Sequence, residues 1–518
     1  MTLSRTIVCV CVAAGLGLLA LFWGAPDYLV GRGYPLDDAW IHAVYGRSLA
    51  REGMLAYNPG VPATGATSPL WSVVVAGAHL LWSRPEQVVA MVKLVGWALH
   101  VVTAVLITAA LRGGAITFPV LAGAVLVAAH PDLISASVSG MEVPLATAFA
   151  VLLLLAVRSG GSLPYLALAF IAPLARPELA LLSLTMPIAF YVRSNLRALG
   201  FMTSAASLGT AASFGLMAIR NMAVSGRPLA ATFYAKAGSG GLSISAAEIM
   251  GFDSVLGNFP IADSSLLMCG AMVAGVGMLY GSRRVEEGER LAGVAFLTAV
   301  MFCAVSFALV RPIDPGALYY QRYVLPVLPL LVGSTPVLLN VGLTRVLHNR
   351  TMKACVGSVL VALMVLTIVV DGPRRYRQLE NDARNIDDIQ VALGKSLAGG
   401  ASDQYVWAVD AGAVRYFGTP FVVDLLGLNT DALLGLDAQR FLDRHPPRFI
   451  EVVPGWSALD ETSQRRLRGA LFAPSTPYTV SGVAGIPMQR HLLVRCDDSA
   501  LEGAIFVSQR RFAFHCAG

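Results

Sequence analysis

The chain has 518 residues, 56% of them hydrophobic and only 14% charged, with a mean hydropathy of +0.65. That composition excludes a soluble enzyme of this length, and repeated apolar runs of about 20 residues, each matching a bilayer core of roughly 30 Å, make it a polytopic helical membrane protein. The 38 basic and 32 acidic residues give a net charge of +6 but are scattered, so nucleic acid is not an expected partner.

Arg5 and the run IVCVCVAAGLGLLALFW open the chain. No small-x-small cleavage site follows and further apolar runs come later, so an uncleaved first span is expected instead of a signal peptide. The expected spans are 6–25, 86–111, 115–131, 142–157, 162–175, 178–192, 200–219, 264–281, 291–310, 323–341 and 354–370, about eleven in all. The segment TSPLWSVVVAGAHLLW (67–82) is shorter and starts as a helix at Pro69; it is expected in the outer interface without crossing. Loop charge supports this. If 67–82 does not cross, Arg112, Arg158, Arg193 with Arg197, Arg283 with Arg284, and Arg345 with Arg350 and Lys353 all share the side of Arg5, as the positive-inside rule requires. The N-terminus is then cytoplasmic. The loops 26–85, 132–141, 220–263 and 311–322 and the whole tail lie outside a bacterial inner membrane.

In the first outer loop, LDDAWIHAVYGRSLAREG predicts an amphipathic helix, capped by Asp37 and stopped by Gly53. YNPG is a turn, and TSPLW begins the next helix. At DGPRRYRQLENDARNIDDIQ the composition turns polar, which divides the chain into a membrane domain (1–371) and an external domain (372–518). The tail reads as a polar helix over 374–397, strand–turn–helix in YVWAVDAGAVRYFG, strands in PFVVDLL and PRFIEVV, and a helix in AQRFLDRH, a small α/β domain. Asp410 and Asp424 end strands there as expected turn caps.

Asp37 and Asp38 follow directly after an apolar segment, where a carboxylate is costly. Capping explains one of them and is worth about 1 kcal/mol. A second acid suits deprotonation of a hydroxyl, or oxygen ligation of a divalent metal for which no ligand set is visible. His42, four residues after Asp38, shares its helical face, either as a simple partner of an acid or as a substrate contact. Glu142 begins a span, with His130 and Asp132 nearby, as an acid on a helix dipole or as a functional group. Arg176 and Glu178 flank Pro177, as a structural ion pair or as ions facing a substrate. GRPLAATFYAK brings Arg227, Tyr234 and Lys236 close after Arg220, and ALYYQRYVLPVLPLL carries Tyr319, Tyr320, Arg322 and Tyr323. Interfacial Tyr and Arg often only anchor helices. Acids and cations on one membrane face nevertheless suit a phosphate-bearing lipid, the cations stabilising charge on a departing phosphate. Five of the seven cysteines lie in apolar runs as small hydrophobes. Cys496 and Cys516 form an even pair in the tail, suited to a disulfide outside the cytoplasm, and no Cys/His cluster suggests zinc.

The segments LDDAWIHAVYGRSLAREGMLAYNPGVPATGATSPLW, SGMEVPL, ARPELALL, GRPLAATFYAK and QRYVLPVLPLL, in this order over 36–331, resemble the GT-C superfamily of polyprenyl-phosphate-sugar glycosyltransferases. The likeness is to bacterial relatives of the mycobacterial terminal arabinofuranosyltransferases, and YVWAVDAGAVRYFGTPFVVDLLGLNTDALL is similar to their external domain. The resemblance implies transfer of a sugar, arabinofuranosyl or mannosyl, from a polyprenyl-monophosphate donor to a hydroxyl of a glycan, lipid or protein. Carried over by residue, Asp37 or Asp38 is the acid at the reaction centre. Arg176, Arg220, Lys236 and Arg322 are donor-phosphate candidates, and His42, Glu142, Glu178, Tyr234 and Tyr320 substrate-binding ones. Two departures bear on sugar or acceptor: TGATSP stands where relatives show EGYTSP, and Ala231 stands where they have Asn. A transporter or flippase of lipid-linked sugars is the alternative, against which stand the elaborate first loop, the large tail and the lack of an inverted repeat.

Overall fold

The structure is a computed structural model describing residues 3–192, 194–237, 286–310, 322–347, 349–473, 491–507 and 510–517; the expected span 264–281 and Tyr320 lie outside them. Helix α1 (Leu3–Gly24) has two unlike faces. Val10, Ala14 and Leu21 pack against protein, while Val8, Val12, Leu16 and Leu19 stand exposed. An exposed stripe of large aliphatics is unfavourable in water and favourable against lipid tails. Among the described residues, six helices are long and apolar enough to cross a membrane: Leu3–Gly24, Pro85–Leu111, Leu196–Ser225, Glu287–Ser306, Leu325–Thr344 and Thr351–Ser396. A seventh results if Phe118–Ala129 and Pro131–Ser137 count as one span, bent by 51°. The bend falls at His130, which is extended before Pro131 because the proline ring excludes helical geometry there.

The expected spans at 142–157, 162–175 and 178–192 are all helices, Val143–Ser159, Ser162–Ala175 and Leu179–Tyr191, but of only 17, 14 and 13 residues. At 1.5 Å per residue they rise about 20–25 Å, less than a full hydrocarbon core. Pro69–Leu81 has 13 residues and is equally short. Where helices cross, glycine sets the distance: a Cβ on Gly123 would collide with the Gly333 carbonyl of the facing helix.

The outer loop builds a compact platform. Helix α2 (Asp37–Glu52) ends at Gly53, whose φ of 70° is left-handed and whose N–H donates to Leu49. Strands β1 (Ala56–Asn58) and β2 (Val61–Pro62) pair across a turn at Gly60, φ 71°. Helix α3 (Pro69–Leu81) then starts with proline at its first position and packs along α2. The remaining helices are α4 (Pro85–Leu111), α5 (Phe118–Ala129), α6 (Pro131–Ser137), α7 (Val143–Ser159), α8 (Ser162–Ala175), α9 (Leu179–Tyr191), α10 (Leu196–Ser225), α11 (Ala231–Ala237), α12 (Glu287–Val310), α13 (Leu328–Val346) and α14 (Arg350–Ile386).

Helix α14 does not stop at the compositional break near 372; it runs through it and continues by a π-turn, Asp387–Val391, to Ser396. A five-stranded sheet follows, ordered β4-β3-β5-β8-β7. Strands β3 (Tyr405–Ala408), β4 (Phe421–Asp424) and β5 (Phe449–Val452) are parallel, with the short helix α15 (Gly412–Phe417) between β3 and β4. Strands β7 (Arg468–Phe472) and β8 (His491–Arg495) add antiparallel. A second antiparallel sheet, β10-β9-β6, joins β6 (Ser457–Leu459), β9 (Glu502–Val507) and β10 (Arg510–His515). Strand alternation divides the interior. Val406, Ala408, Val422 and Leu493 face the outer loop and belong to the same core as the membrane helices. Trp407, Val423, Ile450 and Val494 turn the other way and pack with Ile505, Phe512 and Phe514 of the second sheet. Cys496 and Cys516 form a disulfide that ties the ends of β8 and β10, Cα atoms 5.0 Å apart.

Candidate active site

Asp37 and Asp38 occupy the first turn of α2, where acids favour the positive end of the helix dipole. The expected cap by Asp37 on its own helix is not what forms: Leu36 holds the N-cap position and no side chain caps α2. Asp37 reaches instead into the C-terminal domain. Its two oxygens accept N–H groups from Gly412 (2.6 Å) and Ala413 (2.8 Å), capping α15 across the seam. Only glycine fits at 412, because a Cβ would collide with the Asp37 carbonyl. Burial and the facing Asp410 charge push the Asp37 carboxyl well up, and the two N–H bonds only partly offset them.

Asp38 turns the other way. Its carboxylate pairs with Arg322, and Lys236 contributes further positive potential. Burial raises its pKa, but Arg322 and then Lys236 outweigh burial and hold it below the usual carboxylate range. Protein encloses the residue, yet 39% of its side chain stays accessible, so Asp38 lines a recess instead of a packed core.

Around that recess the predicted residues form a connected network. Tyr323 is its centre: Lys236 Nζ lies 3.4 Å from the phenol oxygen, and the Arg322 and Arg176 guanidinium groups stand 5.5 and 5.0 Å from the ring. Arg176 binds Glu142 at 2.6 Å and Glu178 at 3.3 Å. The other Glu142 oxygen meets His42 Nε2 at 3.0 Å. Arg176, Glu142 and His42 are all buried, so their pairing is required by burial itself. The turn carrying Glu142 is fixed by Trp71 Nε1 donating to Gly140 (2.9 Å), with Gly140 at φ 83°.

Two predicted residues stand apart from the network. Arg220 donates to the carbonyls of Ala63 (2.7 Å) and Leu55 (3.3 Å) and to the Asn221 side chain (3.0 Å), pinning the first loop. The Tyr234 hydroxyl accepts from the Leu229 N–H, and its ring stacks under Arg227 at 5.4 Å. Tyr320 lies outside the described residues. The two departures from the GT-C pattern meet each other: Ala231 N–H donates to Thr64 Oγ1 (3.0 Å), and Thr64 binds Asp431 of the external domain. A Cβ on Gly65 would collide with Asn429 and Leu428, so the TGA sequence is shaped to seat that domain.

The C-terminal domain adds two groups not singled out in the sequence, His491 and Glu451. Fully buried His491 lies between Glu451 (2.8 Å) and Asp410 (3.6 Å), behind Asp37. Burial lowers the His491 pKa, but the Glu451 bond and charge and the Asp410 charge raise it overall. Asp424 is the turn cap expected, accepting from Leu426, Asn429 and the Asn429 side chain. Among the described residues, no group of three His, Cys, Asp or Glu side chains is placed to hold a metal ion.

No family model matches the chain, and no curated relative matches it by sequence. Solved structures match it in fold. ArnT from Cupriavidus metallidurans bound to undecaprenyl phosphate aligns with a TM-score of 0.54 and 14% identity over 94% of this chain and 97% of that one. Its apo state gives 0.52 and 16% over the same shares. The archaeal oligosaccharyltransferase AglB from Archaeoglobus fulgidus, in complex with an inhibitory peptide and a dolichol-phosphate, gives 0.53 and 8% over 86% of this chain and 69% of that one. The chain therefore shares the fold of these structures, a multi-pass helical membrane part joined to a C-terminal sheet-containing domain.

Proposed function

We propose that the protein is a membrane glycosyltransferase that moves a sugar from a polyprenyl-monophosphate donor to a hydroxyl of an envelope glycan, lipid or protein. The observation that carries this reading is Asp38: an ionised, accessible carboxylate in a recess whose walls supply Arg322 and Lys236, within a GT-C fold. A carboxylate orients and polarises an attacking hydroxyl; cations stabilise the charge that develops on a departing phosphate. In the reaction the acceptor oxygen attacks the anomeric carbon as the bond to phosphate breaks, through an oxocarbenium-like transition state and with inversion. Asp38 holds the hydroxyl, Arg322 and Lys236 take the phosphate, and Arg176 keeps Tyr323 and Glu142 in place behind them. Asp37 belongs to the seam and not to the reacting groups.

The site faces outward from a bacterial inner membrane in this reading, with the lipid tail of the donor entering between helices. Arabinofuranosyl and mannosyl donors are the substrates to try first. The test is Asp38→Asn in proteoliposomes given radiolabelled polyprenyl-phosphate arabinofuranose or mannose. Transfer is expected to fall roughly 10²- to 10⁴-fold with donor binding retained. Full transfer by the variant sinks the assignment, and donor movement without any glycosylated product points to a transporter.

A further inference from the structure

We propose that His42 and Glu142 form a proton-accepting dyad beside Asp38, with His42 Nδ1 as the final acceptor of the proton released by the attacking hydroxyl. The inference rests on the glycosyltransferase reading and deepens it. Three observations carry it. His42 Nε2 sits 3.0 Å from Glu142 Oε2, while Glu142 Oε1 is held at 2.6 Å by the buried Arg176 guanidinium. A carboxylate locked against arginine stays an acceptor, so Nε2 carries the hydrogen and Nδ1 is left with a lone pair. That Nδ1 atom is buried and has no hydrogen-bond partner among the described residues. An unused buried polar atom is costly, about 1–3 kcal/mol, and a packed structural histidine is normally satisfied at both nitrogens.

The third observation is the neighbour. Asp38 lies one helical turn before His42 on the same face of α2. Held by Arg322 and Lys236, Asp38 is well placed to orient a hydroxyl but too weak a base to keep its proton. An imidazole backed by a carboxylate, itself oriented by a third group, has the arrangement of an activated base. The charged and titratable groups facing His42 are Asp38 on its own helix and Glu142 at the start of α7. Arg176 and Glu178 stand between α8 and α9, and Lys236, Arg322 and Tyr323 lie across the recess. On α3, His79 approaches Ala43 near Arg47 and Tyr416.

The step balances. The acceptor O–H bond breaks as its oxygen bonds to the anomeric carbon. The carbon–oxygen bond to phosphate breaks, with its electron pair going to the phosphate. The proton passes by way of Asp38 to Nδ1, forming an imidazolium that Glu142 stabilises and re-forming the Asp38–Arg322 pair.

The test is His42→Gln in the full-length protein in nanodiscs, because a glutamine amide can still donate to Glu142 but cannot accept a proton as a base. With radiolabelled polyprenyl-phosphate arabinofuranose or mannose, kcat is expected to drop at least about 10²-fold, with donor KM and undecaprenyl phosphate binding within about twofold. The acid limb of the wild-type kcat–pH profile should disappear. A kcat within about threefold of wild type with the acid limb intact overturns the proposal, and so does loss of lipid-phosphate binding in step with kcat, which makes His42 a packing residue. ¹⁵N-histidine NMR of the wild type against the variant reads the tautomer without any activity. A bare Nδ1 with hydrogen on Nε2 supports the dyad, and hydrogen on Nδ1 overturns it. A wild type that transfers no sugar defeats the glycosyltransferase reading, and the tautomer still decides the dyad.

Discussion

Side chains at consecutive helical positions diverge by about 100°, and on α2 that rotation separates two identical carboxylates into different tasks. Asp37 meets two N–H groups of α15 and the Asp410 carboxyl; Asp38 meets cations and a recess. The consequence is opposite titration. A raised native pKa means that the folded chain keeps a proton which the unfolded chain has lost. Stability from Asp37 and Asp410 therefore declines as pH rises from the ordinary carboxylate range through their raised values. His491, also raised, adds to the decline, its contribution being lost as pH rises through its folded value. Asp38 acts the other way: its contribution is present above the ordinary range and lost as pH falls through its lowered value. Thermal unfolding of the full chain in nanodiscs across pH 4–9 should show the first slope in wild type, flattened in Asp37→Asn and His491→Gln. An unchanged slope in both variants would remove these groups from the seam's pH response. Gly412→Ala should destabilise by about 1–3 kcal/mol through overpacking against Asp37, read by the same unfolding experiment.

Elements were the most legible level. Gly53, the YNPG turn and Pro69 each act locally, and the boundaries they predict are the boundaries of α2, β1–β2 and α3. The parallel β3–α15–β4 unit was visible for the same reason: short β-branched and aromatic runs, buried on both faces, flank a glycine-started helix. The second sheet was not, because β6 pairs with β9 across a long sequence separation, and the two residues between β9 and β10, Ser508 and Gln509, carry no glycine, asparagine or proline turn signal. Helix α14 crosses the compositional break because a change from lipid to water alters side-chain polarity without interrupting backbone hydrogen bonds. The Cys496–Cys516 bond closes the end of this domain. Cys516→Ser is expected to lower the domain's stability by about 2–4 kcal/mol, measured as earlier proteolysis of the tail in the intact protein.

Across the whole molecule, the outer loop is an interior layer. Trp40 packs tilted against Tyr34 and Tyr416 and edge-on against Phe417, ring centroids 4.8–4.9 Å apart, Tyr57 donates to Ala411 (2.6 Å), and Asn58 exchanges two hydrogen bonds with Val422. The site's backing therefore comes from a domain more than 370 residues away in sequence, as the Asp37–Gly412 bond spans 375 positions. Ending the chain after Asp371 should abolish transfer by leaving α2 without its packing partner, and a reporter of folded protein such as monodispersity should fall with it. A reporter fused after Gly518 should be active only outside the membrane; cytoplasmic activity would mean that 67–82 crosses, and the outward-facing site would be rejected with it.

Composition and hydrophobic run length by themselves determined the membrane class. Local turn chemistry, the glycine at 53 and the proline at 69, determined the helix boundaries there, because both effects act within a few residues of chain. The sequence also placed acids and cations on one face, since loop position and charge are read directly. Only the tertiary structure decided that Asp37 bonds α15 while Asp38 pairs with Arg322, that Arg220 holds loop carbonyls, that Tyr323 joins three cations, and that His42 pairs with Glu142. Those facts depend on contacts between segments tens to hundreds of residues apart, whose geometry is set by how the helices and the external domain pack together.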